Sequence, residues 1–184
     1  MLGFCRWLGS TPWSVALHES IWVYPIVESV HVLTLCLFLG LVVIMDARLL
    51  GVAFRKTPAS ELVARLAPWN LAGFIIMVIS GSLLFYAIPV KAYFNIFFRI
   101  KVVFLLLAGL NTAIFHRTIF RRIGEWEYDA VPPPGARLAG GASLFLWAGI
   151  VIAGRMIAYN WFDKETARGM GDLYSVVAFF LHLV

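Results

Sequence analysis

Charge is scarce in this chain. Asp, Glu, Lys and Arg make up only 14% of its 184 residues, whereas 61% are hydrophobic and the mean hydropathy is +0.87. Such a chain cannot cover itself with polar side chains in water, which excludes an ordinary soluble domain and points to the lipid bilayer as its surroundings. Cysteine is almost missing as well. Cys5 lies in the amino-terminal tail and Cys36 inside an apolar run, so a mutual disulfide would need the tail to reach into the bilayer, and two free thiols are expected. There is no glycine-rich phosphate loop, no His/Cys cluster at zinc spacing and no nucleophile with its base. The methionines are too scattered for a copper relay. Met1 to Trp7 is too short for the apolar core of a signal peptide, which leaves the first span as an uncleaved anchor. The net charge of +5 is not read as nucleic-acid binding, because basic residues flank membrane helices for orientation.

What the chain does have is apolar runs of membrane-spanning length. Four of them, at about 25–45, 67–88, 99–120 and 138–161, are each near the 20 residues a helix needs to cross a bilayer. The connections are short, so one domain over 1–184 is expected: an all-α antiparallel four-helix transmembrane bundle. Gly73, Ser80, Gly81 and Ser82 in the second run, and Gly140, Gly141, Gly149 and Gly154 in the fourth, allow close helix approach. Ser10 to Tyr24 reads as an amphipathic interfacial helix, with Pro12 in its first turn and Trp13, Ala16, Leu17, Ile21 and Tyr24 opposite Ser14 and His18. Pro25 restarts the chain as the first span. The run Val131-Pro132-Pro133-Pro134-Gly135 breaks the loop before the last span. Residues 173–184 are apolar but too few to cross, which suits an interfacial or re-entrant segment.

Orientation follows the basic residues. Arg48, Arg55, Lys56, Arg65, Arg117, Arg121, Arg122 and Arg137 follow the first and third spans, against Arg6, Lys91, Arg99, Lys101, Lys164 and Arg168 on the other side. That balance puts both termini outside the cytoplasm, in the periplasm of a bacterial inner membrane.

Ionisable groups inside such runs are the candidate functional residues, since each is costly to place there. His31 is the foremost. Glu28 stands one turn before it and can orient its ring, as carboxylates do for metal-bound or haem-bound histidines, or can simply sit in the favourable first turn of the helix. In the third run Lys101 stands at the entrance, Asn111 in the middle and His116 near the exit; Asn111 also suits helix–helix bonding, and His116 an interfacial position. At about 1.5 Å per residue, His31 lies roughly 10 Å and His116 roughly 20 Å below the outer boundary, a strained match for two axial ligands of one haem. His18, Met156 and His182 are the other partners open to His31. Arg155 in the fourth span requires an anion, such as Glu28 or a porphyrin propionate, unless it snorkels among Tyr159 and Trp161. Asp46-Ala47-Arg48 reads as a charge pair at a helix end.

The string Tyr24-Pro25-Ile26-Val27-Glu28-Ser29-Val30-His31, with Gly40 and Asp46-Ala47-Arg48-Leu49-Leu50-Gly51, resembles a family of small bacterial four-helix membrane proteins of unknown function, from Pro12 to Trp161. A fold-level likeness extends to the CopD-type copper-resistance proteins and the HemJ-type protoporphyrinogen oxidases. In the HemJ-type pattern, His31 resembles the first-helix histidine, while Lys101 and His116 resemble the lysine that opens the third helix and the histidine near its end. Phe38 and Leu39 stand where that pattern has a tryptophan before the glycine. The resemblance implies haem b. The expected function is therefore a membrane-embedded b-type haem protein passing electrons, to a quinone or a partner redox protein, with His31 and His116 as iron ligands, Arg155 as a propionate partner, and Glu28, Lys101 and Asn111 in support. The alternatives are a non-catalytic membrane subunit, with a homo-oligomer open, and a copper or small-solute permease.

Overall fold

A computed structural model describes residues 2–159, and these are helical almost throughout. The elements are α1 (Leu2–Gly9), α2 (Pro12–Glu19), α3 (Val23–Leu49), α4 (Ala59–Ala87), α5 (Pro89–Phe94), α6 (Ile96–Thr118), a 3-10 turn (Phe120–Glu125) and α7 (Pro134–Ala158). Helices α3, α4, α6 and α7 are long and apolar enough to cross a membrane. Only 6% to 22% of their most apolar windows is buried within the protein. Their outer faces therefore present Leu33, Leu37, Leu71, Leu106 and Ile152 to the surroundings, an arrangement that water would not tolerate.

Helix α3 packs on α4 and on α7, and α6 packs on α7. Rising residue numbers on α3 meet falling numbers on its neighbours: His31 meets Ser80, Phe38 meets Gly73, and Asp46 meets Gly140. The same holds for α6 and α7, where Phe104 lies against Gly149 and Asn111 against Ala139. The centre is a cluster of Phe38, Val42, Met77, Ala108, Trp147 and Ile150, with the Phe38 and Trp147 rings edge to face at 4.8 Å. The small residues have a visible use. A Cβ at Gly149 would collide with the Phe104 ring, and one at Gly140 would stand 3.2 Å from the Asp46 carbonyl oxygen.

Several boundaries differ from the sequence expectation. Helix α4 starts eight residues before 67, because Pro68 is accommodated within it and does not end it. Pro25 falls in the first turn of α3, where its missing N–H has no helical partner to lose, so the helix starts before it. The stretch 10–24 is not one helix. It is α2 followed by a turn at Ser20 to Trp22; Trp13 is 80% exposed, and on the opposite side Ser14 is 1% exposed and donates to the Tyr86 carbonyl at 2.7 Å, while His18 is exposed. The cause is the end of α4, whose last-turn carbonyls need donors that α5 cannot supply, so the small polar side chain turns inward and the indole outward. Helix α1, packed on α5 with Gly9 against Pro89, was not foreseen. Trp161, Lys164, Arg168, His182 and the segment 173–184 lie outside the described residues.

The Arg48 end of the protein is closed by loops. Arg48, 1% exposed, donates from Nε to the Thr57 carbonyl at 2.9 Å and from Nη2 to the carbonyls of Glu127 and Asp129 at 2.8 and 3.1 Å. It thereby ties the loop after α3 to the loop before α7. Gly51, at φ +71°, takes a left-handed conformation against Pro132 that a side chain would strain. The expected Asp46–Arg48 charge pair does not form: two residues apart on a helix they point to different sides, the Asp46 side chain to a hydrogen bond with Ser143 of α7 and Arg48 toward the loops.

Candidate functional site

His31 is half-buried on the second turn beyond Pro25, and its ring lies against α4 where Gly81 leaves room: a Cβ there would stand 3.2 Å from the ring carbon Cε1. Its Nδ1 is 2.8 Å from Ser80 Oγ. The Ser80 hydroxyl is 2.7 Å from the Ile76 carbonyl, the helix back-bond that uses its single proton. Ser80 Oγ is then an acceptor toward His31, so Nδ1 carries the ring proton and Nε2 keeps its lone pair. A serine on the neighbouring helix thus does what was expected of Glu28.

Glu28 itself is exposed and makes no hydrogen bond or ion pair among the described residues. One turn of separation along α3 does not bring it to the His31 ring, which is turned toward α4. The charge of Lys101, near the start of α6, acts on His31, and its ammonium lies beside Gly154 of α7, 3.8 Å from where a Cβ would stand. Among the described residues the ion pair found is Arg65–Glu61, so the Lys101 cation has no carboxylate on it. His31, Ser80, Lys101 and Gly154 come from α3, α4, α6 and α7, so all four long helices contribute to this one place.

His116 does not join them. It is exposed in the last turn of α6, its ring against Phe115 and Phe120, fifteen residues beyond Lys101 and so about 22 Å along the helix from it. Two axial ligands of one iron stand only about 4 Å apart, each nitrogen some 2 Å from the metal. The expectation that His31 and His116 share one metal is therefore corrected: α6 runs past His31 with its entrance, not its exit, at that level. Arg155 is exposed, its guanidinium 3.2 Å from the Tyr159 hydroxyl and 5.0 Å from that ring's centroid, in the snorkelling arrangement and away from Glu28. Asn111 donates to the Ala139 carbonyl at 3.0 Å and bonds α6 to α7. His18 stacks edge-on against Tyr24, an exposed position on α2. No group of three His, Cys, Asp or Glu side chains able to hold a metal ion is found among the described residues.

Ser80 was legible only as a small packing residue. Its value as a partner for His31 depends on the register of α3 against α4, which no spacing within either helix reveals.

A family model described as a family of unknown function, DUF6644, matches residues 19–160. The chain belongs to the DUF6644 family. The match takes in α3 to α7 and every residue of the His31 site, and leaves α1 and nearly all of α2 outside it. No curated protein and no solved structure matches this DUF6644 chain. The likeness to CopD-type and HemJ-type proteins thus rests on the residue pattern alone.

Proposed function

We propose that this DUF6644 protein is a multi-pass protein of the bacterial inner membrane, a single antiparallel four-helix bundle that holds a b-type haem through His31 and takes part in electron transfer. The bilayer reading is supported by four apolar helices whose outer faces stay unburied. Basic residues gathered at the Arg48 end favour that end in the cytoplasm and the Lys91 end in the periplasm. In a background with Cys5 and Cys36 replaced, single cysteines at 55 and 121 are expected to react with an impermeant maleimide from one side and a cysteine at 91 from the other. Labelling of 55 and 121 from opposite sides overturns the topology.

The observation that carries the haem reading is the Ser80 bond to His31 Nδ1, which fixes the ring and leaves Nε2 as a ligand atom in an apolar setting. Lys101 supplies a neighbouring cation without a carboxylate, suited to a propionate, and takes the part first given to Arg155. Among the described residues His31 is the histidine at that level, and it would be the one to hold the iron. Bound haem would supply one-electron chemistry; the protein orients the ligand, excludes water and places charge. Protein purified from haem-supplied cells is expected to show a Soret band, and a colourless preparation refutes this reading. A second reading, a non-catalytic membrane subunit, is favoured by the Asn111 bond to Ala139 and by the same His31–Ser80 bond acting only as a link between helices. That subunit is colourless.

A further inference from the structure

At the Arg48 end, Arg117 in the last turn of α6 and Arg121 and Arg122 in the 3-10 turn line one shallow pocket with Thr118. All three guanidinium groups are exposed, and none has a hydrogen bond or ion pair among the described residues. Glu125, three residues further on, forms no ion pair with them. Three like charges gathered without a counterion repel one another, and a planar guanidinium is the side chain best shaped to take phosphate oxygens through paired N–H bonds. The pocket also has a definite depth. It sits where a span-length helix ends, directly beyond the exposed apolar side chains of Leu110 and Ile114. A ligand suited to both features has a phosphate at one end and acyl chains at the other.

We propose that Arg117, Arg121 and Arg122 form a binding site for the phosphate of one anionic phospholipid, of the phosphatidylglycerol type, whose chains lie along the outer face of α6. The site rests on the membrane placement above and is independent of the haem reading. Resistance of the protein to extraction from membranes by alkaline carbonate checks that placement separately.

Native mass spectrometry of the detergent-solubilised protein tests the site, with phosphatidylglycerol and phosphatidylcholine of matched chains as competing probes. The wild type is expected to keep one phosphatidylglycerol in preference to phosphatidylcholine. The pair Arg121→Gln and Arg122→Gln should weaken that retention about thirtyfold, the effect of two interfacial cations. Arg121→Lys with Arg122→Lys should recover part of it. The pair Lys56→Gln and Arg137→Gln removes as much charge from the same end, outside the pocket, and should leave the preference intact. Equal weakening by both pairs means diffuse surface charge and overturns the site. Loss of phosphatidylglycerol to millimolar inorganic phosphate means a free-phosphate site and overturns the lipid assignment. The lipid and phosphate competitions use wild-type protein, so they decide the matter even if the arginine variants fail to fold.

Discussion

Replacing Arg48 by Met keeps the length and apolar bulk of the side chain and removes every donor. Three backbone carbonyls take bonds from this guanidinium, but they are not equally dependent on it. The Glu127 carbonyl also accepts from the Ala59 N–H at 3.0 Å, so it stays paired. The Thr57 and Asp129 carbonyls lose the donors seen here. The half-buried Thr57 carbonyl left without a donor costs about 1–3 kcal/mol, water can replace the donor at the exposed Asp129, and some of the loss is returned because the guanidinium no longer has to be buried. The net loss should be about 1–2 kcal/mol, which for a chain of this size lowers Tm by about 2–8 °C. Arg48→Lys should recover little, since a point-like ammonium cannot reach carbonyls on two loops at once. Thermal unfolding in detergent micelles measures the loss, and limited proteolysis should show earlier cleavage in the loops 50–58 and 126–133. An Arg48→Met protein that melts within a degree of wild type, with unchanged cleavage, would refute the role of Arg48 as the tie between the two loops.

Gly149→Ala should destabilise the α6–α7 contact by about 1–3 kcal/mol, because the added methyl meets a Phe104 ring already packed into the core; Phe104→Leu in the same chain should restore part of it, and additive losses in thermal unfolding would count against that contact. Ser80→Ala should cost about 0.6 kcal/mol, and at most about 1.7, in stability. It should also speed haem loss to an acceptor apoprotein by freeing the His31 ring, and an unchanged rate would show that Ser80 does not position the ring.

Span number and helical class were readable because they depend on run length, a property of the chain itself. Asn111 as a link between helices was readable too, since a lone amide in an apolar run has few other uses. What escaped the sequence was whatever depends on register between helices. Ser80 meets His31, forty-nine residues away, only through the packing of α3 on α4. Lys101 acts on His31 only through the packing of α6 in the bundle, beside Gly154 of α7. The partner of Ser14 has the same origin: it answers a carbonyl at the end of α4 that hydropathy cannot register. Arg48 was read with Asp46, its neighbour in sequence, when its partners are one carbonyl in the loop after α3 and two in the distant loop before α7.

The most direct test of the central claim is a haemin titration of purified apoprotein, wild type against His31→Ala and His116→Ala, followed at the Soret band. The site described here predicts saturable one-to-one binding that His116→Ala leaves unchanged and His31→Ala abolishes, with the helical circular dichroism of all three alike. Unaltered binding by the His31→Ala protein, or an equal loss in the His116→Ala protein, would contradict it.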